Sequence, residues 1–201
     1  MAAEENPTRE RFALEEYLVL ERLSEGKCEY LDGEIVPLDT HTGQHTTIAA
    51  NLSKSVLSQL RDTLCRALSS EIKIRTARAE LFAYPDLIVY CGEPRYHDHY
   101  RDVLVNPAVL FEVYSPTSEA YDRGHKFSCY QHLESLTDYV LIAEDEPRIE
   151  HFARQTENSW LLTITTGLDG EISIDAIDCV LRLSEIYDRT SFKPVPVFRQ
   201  S

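Results

Sequence analysis

A chain of 201 residues with a hydrophobic fraction of 43% can close a core of its own, and its charged residues, 27% of the total and widely spread, argue against disorder. The formal net charge of −14 argues against a protein that coats DNA, because phosphate binding needs clustered Lys and Arg. It leaves room for an enzyme that meets a polyanion through a metal ion, since the ion neutralises its own carboxylate ligands.

The chain divides into a flexible tail over 1–10, one domain over 11–190 and an extended tail over 191–201, where Pro194 and Pro196 favour extended backbone. Thr8 is placed to cap a helix running to about Leu23, with Phe12, Tyr17, Leu18, Leu20 and Leu23 as its apolar stripe. In CEYLDGEIVPL, Asp32-Gly33 between two apolar runs predicts a hairpin. A polar loop follows over 40–47. Ile48, Leu52, Val56, Leu60 and Leu64, four residues apart, then predict a long helix from Ile48 to about Leu68.

EIKIRT (71–76) alternates like a strand, whereas DLIVYC (86–91), AVLFEVY (108–114) and DYVLIA (138–143) are nearly continuous apolar runs, the pattern of strands buried on both faces. Between the last two lies a helical segment from about Ser118 to Leu136, so that strand, crossover helix and strand form a βαβ unit. RIEHFA, SWLLTITT, EISID and CVLRL predict a strand-rich C-terminal part, closed by a helical turn over 183–187. The expected fold is α/β: a central mixed sheet with the long helix on one face and the 118–136 helix on the other. The late strands then extend the sheet or form a small extra layer.

The five cysteines are scattered and form no C-x-x-C pair, so they are expected to be small packing residues in a reducing compartment. MAAEENPTRERF is charged and has no apolar stretch, so no signal peptide is expected; no run reaches the ~18 apolar residues of a membrane span. The cytoplasm is the expected location. H-E-x-x-H, G-x-S-x-G, Walker and G-x-G-x-x-G motifs are absent, which removes several hydrolase and nucleotide-binding classes.

Two carboxylates stand in unusual surroundings. Asp86 follows Pro85 and opens an apolar strand, and Glu112 lies inside AVLFEVY. A carboxylate within a central strand is costly unless paired, hydrogen-bonded or bound to metal. Two neighbouring strands delivering one acid each to the same sheet edge would suit a hard cation such as Mg²⁺. The other reading is a pair of strand-end carboxylates neutralised by nearby Lys or Arg.

YPDLIVY (84–90) and LFEVYSPTSEAYDRGHKF (110–127) resemble the signature of the Uma-two (Uma2) family of the PD-(D/E)XK nuclease superfamily. The FALEEYLVLE helix, the CEYLDGEIV hairpin and His45 near the start of the long helix are similar to that family too, over about 11–187. The resemblance implies a restriction-endonuclease-like core and an endonuclease that hydrolyses DNA with Mg²⁺, for which Mn²⁺ would substitute. It makes Asp86 and Glu112 the metal-binding acids. The superfamily lysine normally stands two residues after the second acid, where this chain has Tyr114; the resemblance moves that role to Lys126 on the following helix. Lys126 would orient or activate the attacking water and stabilise developing charge; otherwise it forms a surface pair with Asp122.

Glu29 matches an additional acid, the alternative being an ordinary exposed strand residue. His45 would cap its helix or bind phosphate. Lys73 would approach the site or lie on a solvated strand face, and the 93–105 loop, with Arg95, Tyr96, Tyr100 and Arg101, would touch nucleic acid or simply be solvated. Cutting both strands of a duplex would call for a homodimer. The alternative function is a catalytically inactive nuclease-like module that binds nucleic acid or a protein partner, favoured by the acidic charge and by Tyr114.

Overall fold

In the computed structural model, residues 11–38, 40–76 and 81–192 are described. Thr8, Pro194 and Pro196, with most of both expected tails, lie outside them. The chain forms α1 (Leu14–Leu23), β1 (Cys28–Leu31), β2 (Glu34–Pro37), α2 (Gly43–Gln59), β3 (Cys65–Ser69), β4 (Lys73–Thr76), β5 (Leu81–Ala83), β6 (Leu87–Cys91), β7 (Val103–Leu104) and β8 (Val109–Tyr114). A π-helical turn (Tyr121–Lys126) runs into α3 (Phe127–Tyr130), and β9 (Asp138–Ala143), β10 (Arg148–Thr156), β11 (Ser159–Thr166), β12 (Glu171–Ile174), β13 (Cys179–Arg182) and α4 (Leu183–Ile186) complete it. No described helix is long and apolar enough to cross a membrane.

The main sheet is mixed, in the order β11-β10-β9-β8-β6-β3; its one parallel pair is β8 with β9, joined by the predicted helical crossover. Side chains alternate across β8 as a strand requires. Val109, Phe111 and Val113 meet Ile48, Leu52 and Val56 of α2, whereas Leu110 and Tyr114 share a core with Phe127 and Tyr130. The two helices therefore cover opposite faces, as expected. The late strands do both things foreseen for them. β10 and β11 extend the sheet, and the β12–β13 hairpin packs with α2 through Ile172, Ile174 and Leu181.

Sequence periodicity did not reveal the second sheet, β2-β1-β5-β4-β7. EIKIRT belongs to this sheet and not to the central one. Ile74, Leu81 and Ala83 pack against Ile88 and Leu110 of the main sheet, and Tyr17 and Leu18 of α1 cover the far side through Tyr30 and Phe82. Its first hairpin turns at Asp32 and Gly33, both at positive φ (46° and 91°), which matches the twist of the flanking strands.

Three helix expectations need correction. α2 runs Gly43–Gln59 and not Ile48–Leu68, because CRALS leaves the helix to pair with β6; Leu64, at 82% exposure, continued the four-residue spacing without belonging to the buried face. α1 starts at Leu14, where the Glu16 carboxylate accepts from the Ala13 N–H, and Leu20 and Leu23 are exposed. The segment expected as one helix over 118–136 is regular only to Tyr130 and contains the π turn. The cysteine reading also changes: antiparallel pairing sets Cys65 opposite Cys91, with Cα atoms 3.9 Å apart, and the two form a disulfide. Cys28, Cys129 and Cys179 are free.

Candidate metal centre

The β6–β8 register pairs Leu87 with Phe111; one step further it sets Asp86 opposite Glu112. The Val113 N–H donates to Asp86 Oδ2 at 2.8 Å, which ties the first acid to the residue next to the second. Glu112 lies on the face of β8 that looks toward the second sheet. From that sheet β1 contributes Glu29, held by the Tyr84 N–H at 3.1 Å. The π turn contributes Asp122 and Lys126, both buried; such widened turns are frequent at functional sites.

Lys126 Nζ sits 2.9 Å from Glu112 Oε1, 3.2 Å from Glu29 Oε1 and 3.7 Å from Asp122 Oδ1. The Tyr130 hydroxyl also donates to Glu112 Oε1, at 2.8 Å. All four sequence-predicted residues therefore belong to one neighbourhood. The reading of Lys126 and Asp122 as a surface pair does not hold, because their side chains are 6% and 8% exposed. Glu29 is likewise buried and not an exposed strand residue.

Burial, reinforced by the charges of Asp122, Asp86 and Glu29, pushes the Glu112 carboxyl well above its usual range against the pull of Lys126. Burial also raises Asp122. Burial opposes the charge on Lys126, but Glu112, Glu29 and Asp122 outweigh it and hold the ammonium well above its usual range. One buried cation faces more carboxylates than it can neutralise. An all-oxygen, carboxylate-rich group of this kind suits a hard divalent ion.

Beside Asp86, His41 escaped the sequence reading, and His45 stands there in a different role from the cap or phosphate ligand expected of it. His45 does not cap α2 with its side chain; Thr42 does, accepting from the His45 N–H at 3.0 Å. The buried His45 ring points the other way, with Nε2 3.4 Å from Asp86 Oδ2, and the His41 ring stacks on it with centroids 3.9 Å apart. HTGQH at 41–45 is an H-x-x-x-H spacing, a signal that the expectation of no such histidine pair overlooked. Tyr130, by contrast, carried only the signal of a core aromatic.

Lys73 is in neither of its expected places. It is buried and bonded to Glu21 at 2.6 Å, to Asp102 at 3.1 Å and to the Tyr84 hydroxyl at 3.1 Å, while that hydroxyl donates to Glu21. Arg22 joins the group through Asp98 and Asp102, each at 2.8 Å. The 93–105 loop is thereby anchored to α1 and β4, although Tyr100 remains 63% exposed. Burial would raise the Asp102 carboxyl, but hydrogen bonds from Arg22 and Lys73 prevail and hold it down at about 2 instead of 3.8. A depressed acid stabilises the fold above its ordinary pKa and loses that contribution as pH falls through the folded value. Urea unfolding at about pH 4 and about pH 2 should show about 1 kcal/mol of stability lost through this group, solvent screening of the part-exposed carboxylate included, and Asp102→Asn should lack that share of the slope.

Known proteins resemble the chain over most of its length. The model of the Uma2 family, described as "Putative restriction endonuclease", matches residues 14–184. The uncharacterized protein sll1609 of Synechocystis sp. is 31% identical over 157 residues, covering 78% of this chain and 89% of the relative. The uncharacterized protein slr1290 of the same organism is 32% identical over 178 residues, covering 89% and 92%. A crystal structure from Anabaena variabilis, titled a "putative nuclease belonging to DUF820", superposes with a TM-score of 0.71 at 18% identity, covering 88% of this chain and 97% of that one. The fold is that of a restriction-endonuclease-like protein.

Proposed function

The chain belongs to the Uma2 family, described as "Putative restriction endonuclease", and from that membership we propose that it is a divalent-metal-dependent endonuclease hydrolysing DNA phosphodiester bonds. One observation carries the reading: Glu112, Glu29 and Asp122 converge on one buried cation, Lys126, with Asp86 alongside. Buried carboxylates in such excess over cations call for a further positive charge. Asp86 and Glu112 would hold Mg²⁺, or Mn²⁺ in its place, with Glu29 as the third acid.

The ion, when bound, supplies Lewis acidity toward a phosphoryl oxygen and lowers the pKa of a bound water. The residues supply the positioning. The Val113 amide fixes Asp86, Tyr130 and Lys126 fix Glu112, and the Tyr84 amide fixes Glu29. Lys126 takes the part of the superfamily lysine absent at Tyr114: it orients the attacking water and stabilises charge gathering on the phosphate. Its placement beside Glu112 favours an active site over an inactive module. Cleavage of both strands of a duplex calls for two such sites, and a homodimer is the assembly this reading expects.

The purified protein should nick or cut plasmid DNA in Mg²⁺ or Mn²⁺ and stop when EDTA is added. Failure to cleave duplex or single-stranded nucleic acid, together with no heat of Mg²⁺ binding at millimolar concentration, would favour the binding-module reading.

A further inference from the structure

Asp86 has a second set of neighbours that the endonuclease reading does not use. His41 precedes the α2 cap residue and His45 lies in the first turn; with Asp86 they bring one ligand atom each to within 4.8 Å of one another. His45 is 7% exposed and already addresses Asp86 Oδ2 at 3.4 Å. His41 is exposed and stacks on His45 at an interplanar angle of 11°. An ion bonded at about 2.0–2.2 Å to each of three ligands spans nearly this distance. A turn of the exposed His41 ring would aim its nitrogen inward. The segment carrying both rings is braced: the Thr42 hydroxyl donates to Glu144, and the Gln44 amide donates to the Glu144 carbonyl at 2.6 Å.

The chemistry differs from that of the carboxylate cluster. Mg²⁺ prefers oxygen ligands, whereas imidazole nitrogen favours divalent transition ions in rising order from Mn²⁺ through Co²⁺ and Ni²⁺. We propose that His41, His45 and Asp86 form a second cation site, selective for imidazole-binding divalent transition ions and sharing Asp86 with the carboxylate site. Mg²⁺ would then fill only the oxygen site, while Mn²⁺, Co²⁺ or Ni²⁺ would fill both. The consequence for hydrolysis rests on the endonuclease reading; binding of the ion does not.

Co²⁺ is the probe, because coordination by imidazole in a low-symmetry site shifts and intensifies its visible absorption into a band distinct from that of the aqua ion. The full chain, held in several millimolar Mg²⁺, is titrated with Co²⁺ and followed by absorption and calorimetry. One Co²⁺ should bind that Mg²⁺ does not displace. His41→Ala, at an exposed position where folding is not at risk, should weaken it by about tenfold or more. His45→Gln should remove the band, and Glu112→Gln should leave it. Displacement of Co²⁺ by Mg²⁺, absence of a band, or unchanged affinity in His41→Ala would overturn the proposal. Loss of Mg²⁺-dependent cleavage with the band intact would instead count against the endonuclease reading alone.

Discussion

Asp86→Ala and Glu112→Ala should each abolish Mg²⁺- or Mn²⁺-dependent DNA cleavage while the protein stays folded. Losing one of the principal acids forfeits several kcal/mol of transition-state stabilisation, so the rate should fall by about 10³-fold or more. The fold should survive for reasons particular to each site. Asp86 stands just before β6, and its loss frees one backbone amide, that of Val113, and the His45 ring. Removing Glu112 leaves Lys126 with Glu29 at 3.2 Å and Asp122 at 3.7 Å. It also takes one carboxylate out of a cluster that has too many. Glu112→Gln is the companion variant, because it keeps the volume and the acceptor for Tyr130. Cleavage assays with circular dichroism as the folding control would decide the matter. Full activity in either folded variant would remove these acids from the mechanism.

Lys126→Met should fail in two ways at once. Cleavage should be lost, since no other cation pairs with Glu112 in the structure described. Stability should also drop by about 3–5 kcal/mol near neutral pH, the usual cost of removing one partner from a buried charge cluster. The pH dependence separates this cause from poor packing. Burial and neighbouring charges hold the Glu112 carboxyl well above 4.5. A raised acid keeps its stabilising contribution below its ordinary pKa and loses it as pH rises through the folded value. Without Lys126 that loss should steepen, so the variant should regain stability on mild acidification. Saturating Mg²⁺ should raise the melting temperature of the variant more than that of the parent chain, because the ion replaces the missing charge and binds only the folded state. Equal melting temperatures with and without Lys126, at all pH values, would mean that the lysine is not the counter-charge of this cluster.

Strand and hairpin signals were local and proved dependable. DYVLIA became β9 residue for residue, and Asp32-Gly33 turned the first hairpin. Helix ends were less legible. Leu64 prolonged a four-residue apolar spacing past Gln59, and no local rule announces that Cys65 must leave the helix to complete a sheet edge. The π turn was hidden for a similar reason: in sequence, Asp122 and Lys126 have the spacing of an ordinary exposed helical pair.

By itself, the sequence determined the βαβ unit, the two carboxylates in unusual strand positions and, through the combined motifs, the family. These depend on residue type and near-neighbour spacing, which the linear chain displays. Tertiary structure alone decided what surrounds those acids. Glu29 reaches the site only because β1 belongs to a second sheet stacked on the first, and Lys73 is buried only because Glu21 and Asp102 converge on it from α1 and the 93–105 loop. Burial and charge pairing are properties of long-range packing, and they turn two isolated carboxylates into part of a cluster in which acids outnumber cations.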